Sequence, residues 1–215
     1  MSANLIYDWT PTTLRALARR KLRPSLSVAD LEHATPSGIS EDSPDGRLAL
    51  LEPWRAAAVL MPIVDRPGGL SVLLTLRAAD LRAHSGQVAF PGGKIDAGET
   101  PREAALREAQ EEIGLEERFV EPLGWLAPYF TGTGFRVAPL VALVEPSFAL
   151  TVNKLEVDEV FETPFAFLMD AANHRFVERE WQGRRRRYYA MRHEGRYIWG
   201  ATAGILRNLY EKLFS

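Results

Sequence analysis

Residues 73–115 read LLTLRAADLRAHSGQVAFPGGKIDAGETPREAALREAQEEIGL, and this stretch decides the fold of the chain. Its centre is a predicted helix whose start is encoded locally. Thr100 is a good N-cap, Pro101 suits the first helical position and Glu103 completes a capping box. Gly114 then supplies the stop. The stretch therefore predicts one helix with well-defined ends.

Three glutamates of this helix, Glu108, Glu111 and Glu112, follow the spacing i, i+3 and i+4. At about 3.6 residues per turn this spacing places all three carboxylates on one face. Such crowding raises carboxylate pKa values unless a cation neutralises it, and an oxygen-only ligand set suits Mg²⁺ or Mn²⁺ rather than zinc. Taken alone, however, E-x-x-E-E is more often a solvated acidic face, here beside Arg102 and Arg107.

A longer pattern surrounds the three glutamates. Counting from Gly93 gives G-x5-E to Glu99, seven further residues, and then REAQEEIGL at residues 107–115. This pattern resembles the signature of the Nudix hydrolases, G-x5-E-x7-R-E-U-x-E-E-x-G-U, in which U is a bulky aliphatic residue. Every fixed position matches except Ala109, which is small where the family usually has Leu, Ile or Val. We expect this departure to affect packing and not chemistry.

A second motif lies immediately upstream. Residues 73–93 contain every fixed position of LLTxRA-x3-R-x3-G-x3-FPGG, which is similar to the motif that marks the coenzyme A pyrophosphatase branch of the Nudix family. Two long patterns joined in the right order make chance a poor explanation. The resemblance implies hydrolysis of coenzyme A or its derivatives to 3′,5′-adenosine bisphosphate and 4′-phosphopantetheine or its acylated form.

Two alternatives remain open at this point. The first is a Nudix hydrolase that acts on ADP-ribose, NADH or a nucleoside triphosphate. The second, of another class, is a non-catalytic module that binds a nucleotide, as happens when the metal carboxylates are lost. All three carboxylates are present in this sequence, which favours an enzyme.

The resemblance also implies roles for individual residues. It makes Glu108 and Glu112 the principal ligands of Mg²⁺ or Mn²⁺, Glu111 a ligand of a further ion, and Gly93 the source of a backbone carbonyl ligand. Arg107 would orient the carboxylates through charge-assisted hydrogen bonds. The general base differs between branches of the family. The sequence leaves it open among Glu108, Glu111 and the acids of a later loop, Glu156, Asp158 and Glu159.

Three residues of the upstream motif are candidates for substrate binding. Arg77 and Arg82 suit phosphate groups because a guanidinium binds phosphate oxygens bidentately, although either side chain could hold the loop to a carboxylate instead. His84 is the third candidate, but a lone histidine in such a segment is more often an ordinary loop residue.

The composition narrows the class of protein. The 215 residues are 46% hydrophobic, enough to bury a full core, and a formal net charge of −2 gives no support for broad attraction to nucleic acid or membranes. Because there is no cysteine, disulfides and cysteine-based catalytic or metal sites are excluded. Neither a signal-peptide core nor a run of about 18 apolar residues occurs. We expect a cytoplasmic protein with a small-molecule substrate and no nucleic-acid or membrane partner.

Hydrophobic patterning predicts the remaining elements. A helix is predicted to begin at Pro11 after a cap at Asp8 or Thr10, and it would serve packing or a homodimer contact, with its basic edge more often a solvated face than a site for anionic ligands. A loop is predicted over residues 36–53. Predicted strands cover residues 56–64, 70–77, 87–90, 119–128 and 135–144. A hairpin pair is predicted over residues 175–189 and 192–199, with turns at residues 182–183 and 194–195, and a last helix covers residues 202–213.

Together with the resemblance, these elements imply an α/β fold, a Nudix-type α/β/α sandwich with a mixed central β-sheet. We expect a single domain over residues 1–215. Residues 1–53 would be an N-terminal helix and loop extension, and residues 93–115 would form the Nudix box.

Overall fold

The fold is known from a computed structural model, which describes residues 8–35, 53–79, 86–181 and 184–215. The loop predicted over residues 36–53 lies almost entirely outside these ranges, as do Arg82 and His84. The described residues form five α-helices: α1 (Pro11–Lys21), α2 (Val28–Glu32), α3 (Pro101–Ile113), α4 (Phe165–Leu168) and α5 (Gly200–Phe214).

The strands form two sheets. Eight of them make the central sheet: β1 (Arg55–Arg66), β2 (Gly69–Arg77), β3 (Val88–Ala89), β4 (Gly92–Lys94), β5 (Val120–Trp125), β6 (Tyr129–Phe130), β7 (Phe135–Val144) and β8 (Val157–Pro164). The second sheet has three strands: β9 (Arg175–Trp181), β10 (Arg184–His193) and β11 (Arg196–Trp199).

Strand β1 is the centre of the larger sheet, whose main path runs β3-β2-β1-β7-β5. It pairs in parallel with β7, from Arg55 opposite Phe135 to Val64 opposite Val144, and antiparallel with β2 and β4. The shorter β6 and β8 pair with β7 and β2. The central sheet is therefore mixed, as predicted.

Alternate residues of β1 point to opposite faces of this sheet. Met61 and Ile63 belong to the hydrophobic cluster that includes α1 and α5, whereas Leu60 and Val64 belong to the cluster that includes α3. All four are fully buried, and each such side chain contributes roughly 1.5–3 kcal/mol to folding. The sheet lies between two helical layers, which confirms the predicted α/β/α sandwich.

Helix α3 begins and ends as its sequence predicts. The Thr100 hydroxyl accepts a hydrogen bond from the amide of Glu103, whose carboxylate accepts one from the amide of Thr100. Gly114 ends the helix at φ 72°, and a Cβ there would lie 2.7 Å from the amide nitrogen of Thr151. Glycine is needed because of both this backbone conformation and this close approach.

Helix α1 packs onto the sheet, as one of its two predicted roles requires. Thr10 caps it, and Leu14 and Ala18 are buried on its inner side. On its basic edge, Arg15 pairs with Glu121 of β5 at 2.7 Å. The homodimer contact stays a prediction.

The sequence predictions differ from the structure at several strands, among them the eight-residue β8, which was not predicted. The strand predicted over residues 119–128 covers only β5, after a 3₁₀ turn at Glu117–Phe119, and Tyr129–Phe130, which lie outside every predicted strand, form β6. Strand β4 was not predicted because two of its three residues are glycines, which are depleted in strands. Among the described helices, none is long and apolar enough to cross a bilayer.

Candidate active site

Two adjacent glycines bring backbone against the carboxylate face of α3. In β4, Gly92 pairs with Val59 and Gly93 pairs with Ala58. A Cβ on Gly93 would collide with the carboxylate of Glu108, whereas a Cβ on Gly92, which has φ 156°, would collide with the backbone of Ala58 and Val59. The first glycine thus allows the strand to pair with β1, and the second leaves room for a carboxylate.

Glu112 is buried at the bottom of the site, with only 2% of the residue exposed. The amide of Gly92 donates to its Oε2 at 3.3 Å, and Nη1 of Arg77 lies 3.7 Å from its Oε1. Burial raises the pKa of Glu112 to about 7. The Gly92 amide and Arg77 oppose this shift, while the charges of Glu108 and Glu156 add to it.

The other two glutamates of the acidic face differ in exposure. Burial raises the pKa of Glu108, and a hydrogen bond from Arg107 at 3.0 Å only partly offsets the shift. The side chain of Glu111 is 55% exposed and accepts a hydrogen bond from the same Arg107 Nη1 at 3.0 Å. Glu108 and Glu112 therefore form the inner part of the face, and Glu111 its outer edge.

Arg107 connects the helix to the turn before it. Its guanidinium donates to both carboxylate oxygens of Glu99 at 2.8 and 3.1 Å and to the carbonyl of Lys94 at 3.1 Å, in addition to Glu108 and Glu111. The hydrogen bond to Glu99 is the main cause that raises the pKa of Arg107, and the same bond lowers the pKa of Glu99. One guanidinium thus fixes the spacing between α3 and the turn.

A fourth carboxylate reaches the site from the loop before β8. The amides of Thr151 and Asn153 donate to the carbonyls of Ile113 and Glu112, both at 2.9 Å, and so attach this loop to the last turn of α3. The side-chain amide of Asn153 then donates to Oε1 of Glu156 at 3.1 Å. The loop therefore holds the Glu156 carboxylate in a defined orientation.

The structure separates the three acids of this loop that the sequence left open. Asp158 accepts a hydrogen bond from the amide of Ala79 at 3.0 Å, and Glu159 forms an ion pair with Arg196 of β11. Of the three, Glu156 lines the cavity beside Glu108 and Glu112.

This cavity has a volume of about 500 Å³ and is lined by two chemically different sets of side chains. One set is charged and consists of Glu108, Glu112 and Glu156, with Arg77. The other set is apolar or aromatic and comes from both sheets, with Val59, Phe135 and Val137 from the central sheet and Tyr188 and Trp199 from the second. A ligand with one strongly charged part and one ring-containing part suits such a cavity.

The predicted site residues divide into three groups. Glu108, Glu112, Gly93 and Arg77 come together around the cavity. Arg107 and Glu111 lie beside them, joined to Glu108 through the Arg107 guanidinium. Arg82 and His84 fall outside the described residues, so their substrate contacts stay predictions.

Sequence reasoning did not find Tyr188 and Trp199. They lie some 80 positions or more beyond Glu108, and the only signal they offer is a strand-like alternation of aromatic residues. That pattern is equally typical of a packed sheet face.

The predicted metal site is not a preformed cage of ligands. Within the described ranges, no three acidic or imidazole side chains already surround a common point as metal ligands do. Such a cage is not required for Mg²⁺, which usually keeps several waters and binds through one or two carboxylates plus substrate phosphates. The metal-ligand roles of Glu108, Glu111, Glu112 and Gly93 stay predictions.

Comparison of the chain with known proteins shows the family to which it belongs. The family model described as NUDIX domain matches residues 54–184. The chain belongs to the Nudix family. Nudix hydrolases act on pyrophosphate bonds and generally use divalent metal ions such as Mg²⁺ or Mn²⁺.

The chain is similar to individual proteins that carry the Nudix name. Proteins from Salmonella paratyphi B and Salmonella newport, each named uncharacterized Nudix hydrolase NudL, are 42% identical to this chain over 156 residues, covering 72% of this chain and 81% of the relative. Among solved structures, a Nudix hydrolase from M. smegmatis, RenU, is 28% identical, with a TM-score of 0.45 over 52% of this chain and 71% of that one.

We expect the metal-free protein to lose stability as the pH rises from about 5 to 8. The pKa of Glu112 is about 7 in the folded protein against 4.5 for an ordinary glutamate, so the folded state holds this proton more tightly than the unfolded chain. The stabilisation is complete below the unfolded pKa and is lost as the pH rises through the folded pKa, a change on the order of 2 kcal/mol. Urea unfolding in EDTA at pH 5 and pH 8 measures it.

Glu112→Gln should flatten that pH dependence, because glutamine does not titrate. The matched control is Glu117→Gln, at an exposed glutamate that pairs with Arg102 at 2.9 Å. It should keep the wild-type pH dependence. Equal pH slopes in wild type and Glu112→Gln would contradict the raised pKa.

Proposed function

We propose that this Nudix hydrolase is a metal-dependent diphosphatase that cleaves the pyrophosphate linkage of coenzyme A or its derivatives. The observation that carries the proposal is that Arg77 of the upstream motif and Glu108 and Glu112 of the Nudix box line one cavity. In the sequence the two motifs are separate patterns. Because residues of both motifs line this cavity, the two motifs are best explained as parts of one active site for one class of substrate.

The acidic lining of the cavity fits a hard divalent cation. Its donors are carboxylate and carbonyl oxygens, which suit Mg²⁺ or Mn²⁺, and the missing Cβ of Gly93 lets backbone and the Glu108 carboxylate lie in contact. Glu108, Glu112 and the Gly93 carbonyl would hold one ion, with Glu111 available to another. When bound, the ions supply charge neutralisation of the diphosphate and a lower pKa for the attacking water.

Arg77 binds the diphosphate. Its side chain is 28% exposed and lines the cavity, and its Nη1 lies 3.7 Å from Oε1 of Glu112. A partly exposed guanidinium beside carboxylates is suited to a phosphate oxygen. This contact stabilises negative charge that grows on the leaving phosphate.

Glu156 is the general base. Asn153 fixes one of its oxygens, whereas Arg107 holds the carboxylates of Glu108 and Glu111. As the water oxygen bonds to one phosphorus, the bridging P–O bond breaks and the water proton passes to Glu156. The products are 3′,5′-adenosine bisphosphate and 4′-phosphopantetheine, or its acylated form.

Product analysis across a panel of substrates tests the proposal. Purified protein with Mg²⁺ or Mn²⁺ is incubated with coenzyme A, oxidised coenzyme A and acyl-coenzyme A, and in parallel with ADP-ribose, NADH and nucleoside triphosphates. We expect the highest kcat/KM on a coenzyme A derivative and no turnover in EDTA. Rapid cleavage of ADP-ribose or NADH with coenzyme A left intact would overturn the substrate assignment.

The adjacent glycines offer a matched pair of variants. In Gly93→Ala the atoms nearest to the new methyl belong to the end of the flexible Glu108 side chain, so the protein should fold normally but lose about 10²-fold in kcat/KM as the carboxylate is displaced. In Gly92→Ala the methyl meets the backbone of β1, and φ is 156°. This variant should lose roughly 2 kcal/mol or more of stability.

Thermal unfolding and steady-state kinetics on both glycine variants separate the two roles. A large stability loss in Gly93→Ala, or an unchanged rate, would show that Gly93 does not make room for a functional Glu108 carboxylate.

A further inference from the structure

The second sheet presents two different faces. Successive residues of a strand point to opposite sides, and Met191 of β10 pairs with Ile198 of β11. Both are fully buried in the hydrophobic cluster that contains α5. Tyr188 and Trp199 lie on the alternate positions and therefore on the other face of the sheet.

On that other face, Tyr188 and Trp199 form an aromatic wall. Their ring centroids are 5.4 Å apart at an interplanar angle of 60°, and Tyr197 stacks on Trp199 at 6.4 Å and 21°. Tyr188 and Trp199 are partly exposed, and both line the cavity that contains Glu108 and Glu112. Half-buried aromatic rings that border a cavity are available to stack on a ligand ring.

The wall is held in place at the start of α5. Gly200 follows Trp199 with φ 66°, which turns the chain directly into the helix. Thr202 then donates a hydrogen bond from its hydroxyl to the carbonyl of Val88 in β3 at 2.9 Å. Strand β3 also pairs with β2, the strand that carries Arg77. The aromatic wall and Arg77 are therefore both attached to β3.

We propose that Trp199 and Tyr188 bind the adenine ring of the substrate and so select adenine nucleotides. This inference rests on the proposed function. The two products differ in the relevant chemistry: adenosine bisphosphate carries a purine that stacks on aromatic side chains, whereas the pantetheine arm is a flexible amide chain without a ring. The apolar surface of Val59 and Val137 lines the same cavity.

The positions of Tyr188 and Trp199 in the sequence assign recognition of the base to the C-terminal sheet and helix. Tyr188 and Trp199 both lie beyond residues 54–184, which the family model matches. Residues within the matched range, Arg77, Glu108, Glu112 and Glu156, thus supply the groups for hydrolysis, and the C-terminal sheet and helix supply the contact that recognises the base.

Equilibrium binding of three small probes to the Mg²⁺-loaded protein tests this assignment. The probes are 3′,5′-adenosine bisphosphate, ribose 5-phosphate, which lacks the base, and 4′-phosphopantetheine. Trp199→Ala should weaken binding of adenosine bisphosphate by roughly tenfold or more and leave the other two unchanged. Trp199→Phe, which keeps a ring, should restore most of the affinity. Calorimetry gives the dissociation constants, and circular dichroism confirms folding.

Phe176→Ala is the matched control. Phe176 is 46% exposed and contacts Tyr189, which lies on the opposite face of the same sheet from Tyr188. Loss of this ring should leave all three affinities at the wild-type value. In hydrolysis of coenzyme A, Trp199→Ala should raise KM and largely keep kcat, because stacking binds ground state and transition state alike.

The outcomes separate this inference from the proposed function. Adenosine bisphosphate binding that does not respond to Trp199→Ala, or an equal loss for 4′-phosphopantetheine, overturns the adenine assignment. If coenzyme A is not hydrolysed but adenosine bisphosphate binding still depends on Trp199, the adenine assignment stands and the substrate is another adenine nucleotide.

Discussion

Glu112→Gln is expected to lower kcat for pyrophosphate hydrolysis by about 10⁴-fold and to leave the protein folded. Glu112 is the most buried of the three helix carboxylates and accepts the amide hydrogen bond of Gly92. Glutamine has nearly the same shape and can still accept that bond, but it brings no negative charge to a cation. Steady-state kinetics at saturating Mg²⁺, together with calorimetric Mg²⁺ binding, measure the loss.

Glu117→Gln again serves as the control, because its side chain is 63% exposed and pairs with Arg102 away from the cavity. It should keep wild-type kinetics. A Glu112→Gln protein that retains a tenth of the wild-type kcat, with unchanged Mg²⁺ affinity, would remove Glu112 from the metal site.

Glu156→Gln is expected to lower kcat by about 10³-fold with little change in KM or in Mg²⁺ affinity. The amide can still accept the hydrogen bond from Asn153 but cannot take up the proton of the attacking water. The Mg²⁺ affinity distinguishes the two possible roles of Glu156, because loss of a metal ligand weakens Mg²⁺ binding, whereas loss of a general base does not. Rapid-quench kinetics on the chemical step, with Mg²⁺ titration, distinguish the two.

The control for this variant is Glu159→Gln, three residues further along the same loop and strand. Glu159 pairs with Arg196 outside the cavity lining, so its loss should leave kcat unchanged. If Glu159→Gln is the slower enzyme of the two, the base is not Glu156.

Helix α3 shows how much the sequence predicts. Its cap, its stop and the common face of Glu108 and Glu112 all depend on residues within one or two turns, so they can be derived without the rest of the chain. The layered fold was implied by the resemblance to the Nudix hydrolases, and the continuous apolar run of β1 agrees with it, because both faces of that strand are buried.

Contacts between distant segments could not be predicted in the same way. Glu156, Asp158 and Glu159 have similar chemistry, and only the hydrogen bonds of Asn153, Ala79 and Arg196 separate them. Trp199 is a comparable case. Strand alternation assigns it to a face, but which surface that face meets depends on how the second sheet packs against the first.

The attachment of the Glu156 loop to α3 has a dynamic consequence. The amides of Thr151 and Asn153 use the carbonyls of Ile113 and Glu112, which a helix leaves without partners in its last turn. The loop cannot detach without exposing the end of the helix, so the two should open as one cooperative unit in amide hydrogen exchange. The carboxylates of Glu156 and of α3 then keep their spacing through thermal fluctuations, because the same hydrogen bonds hold both segments.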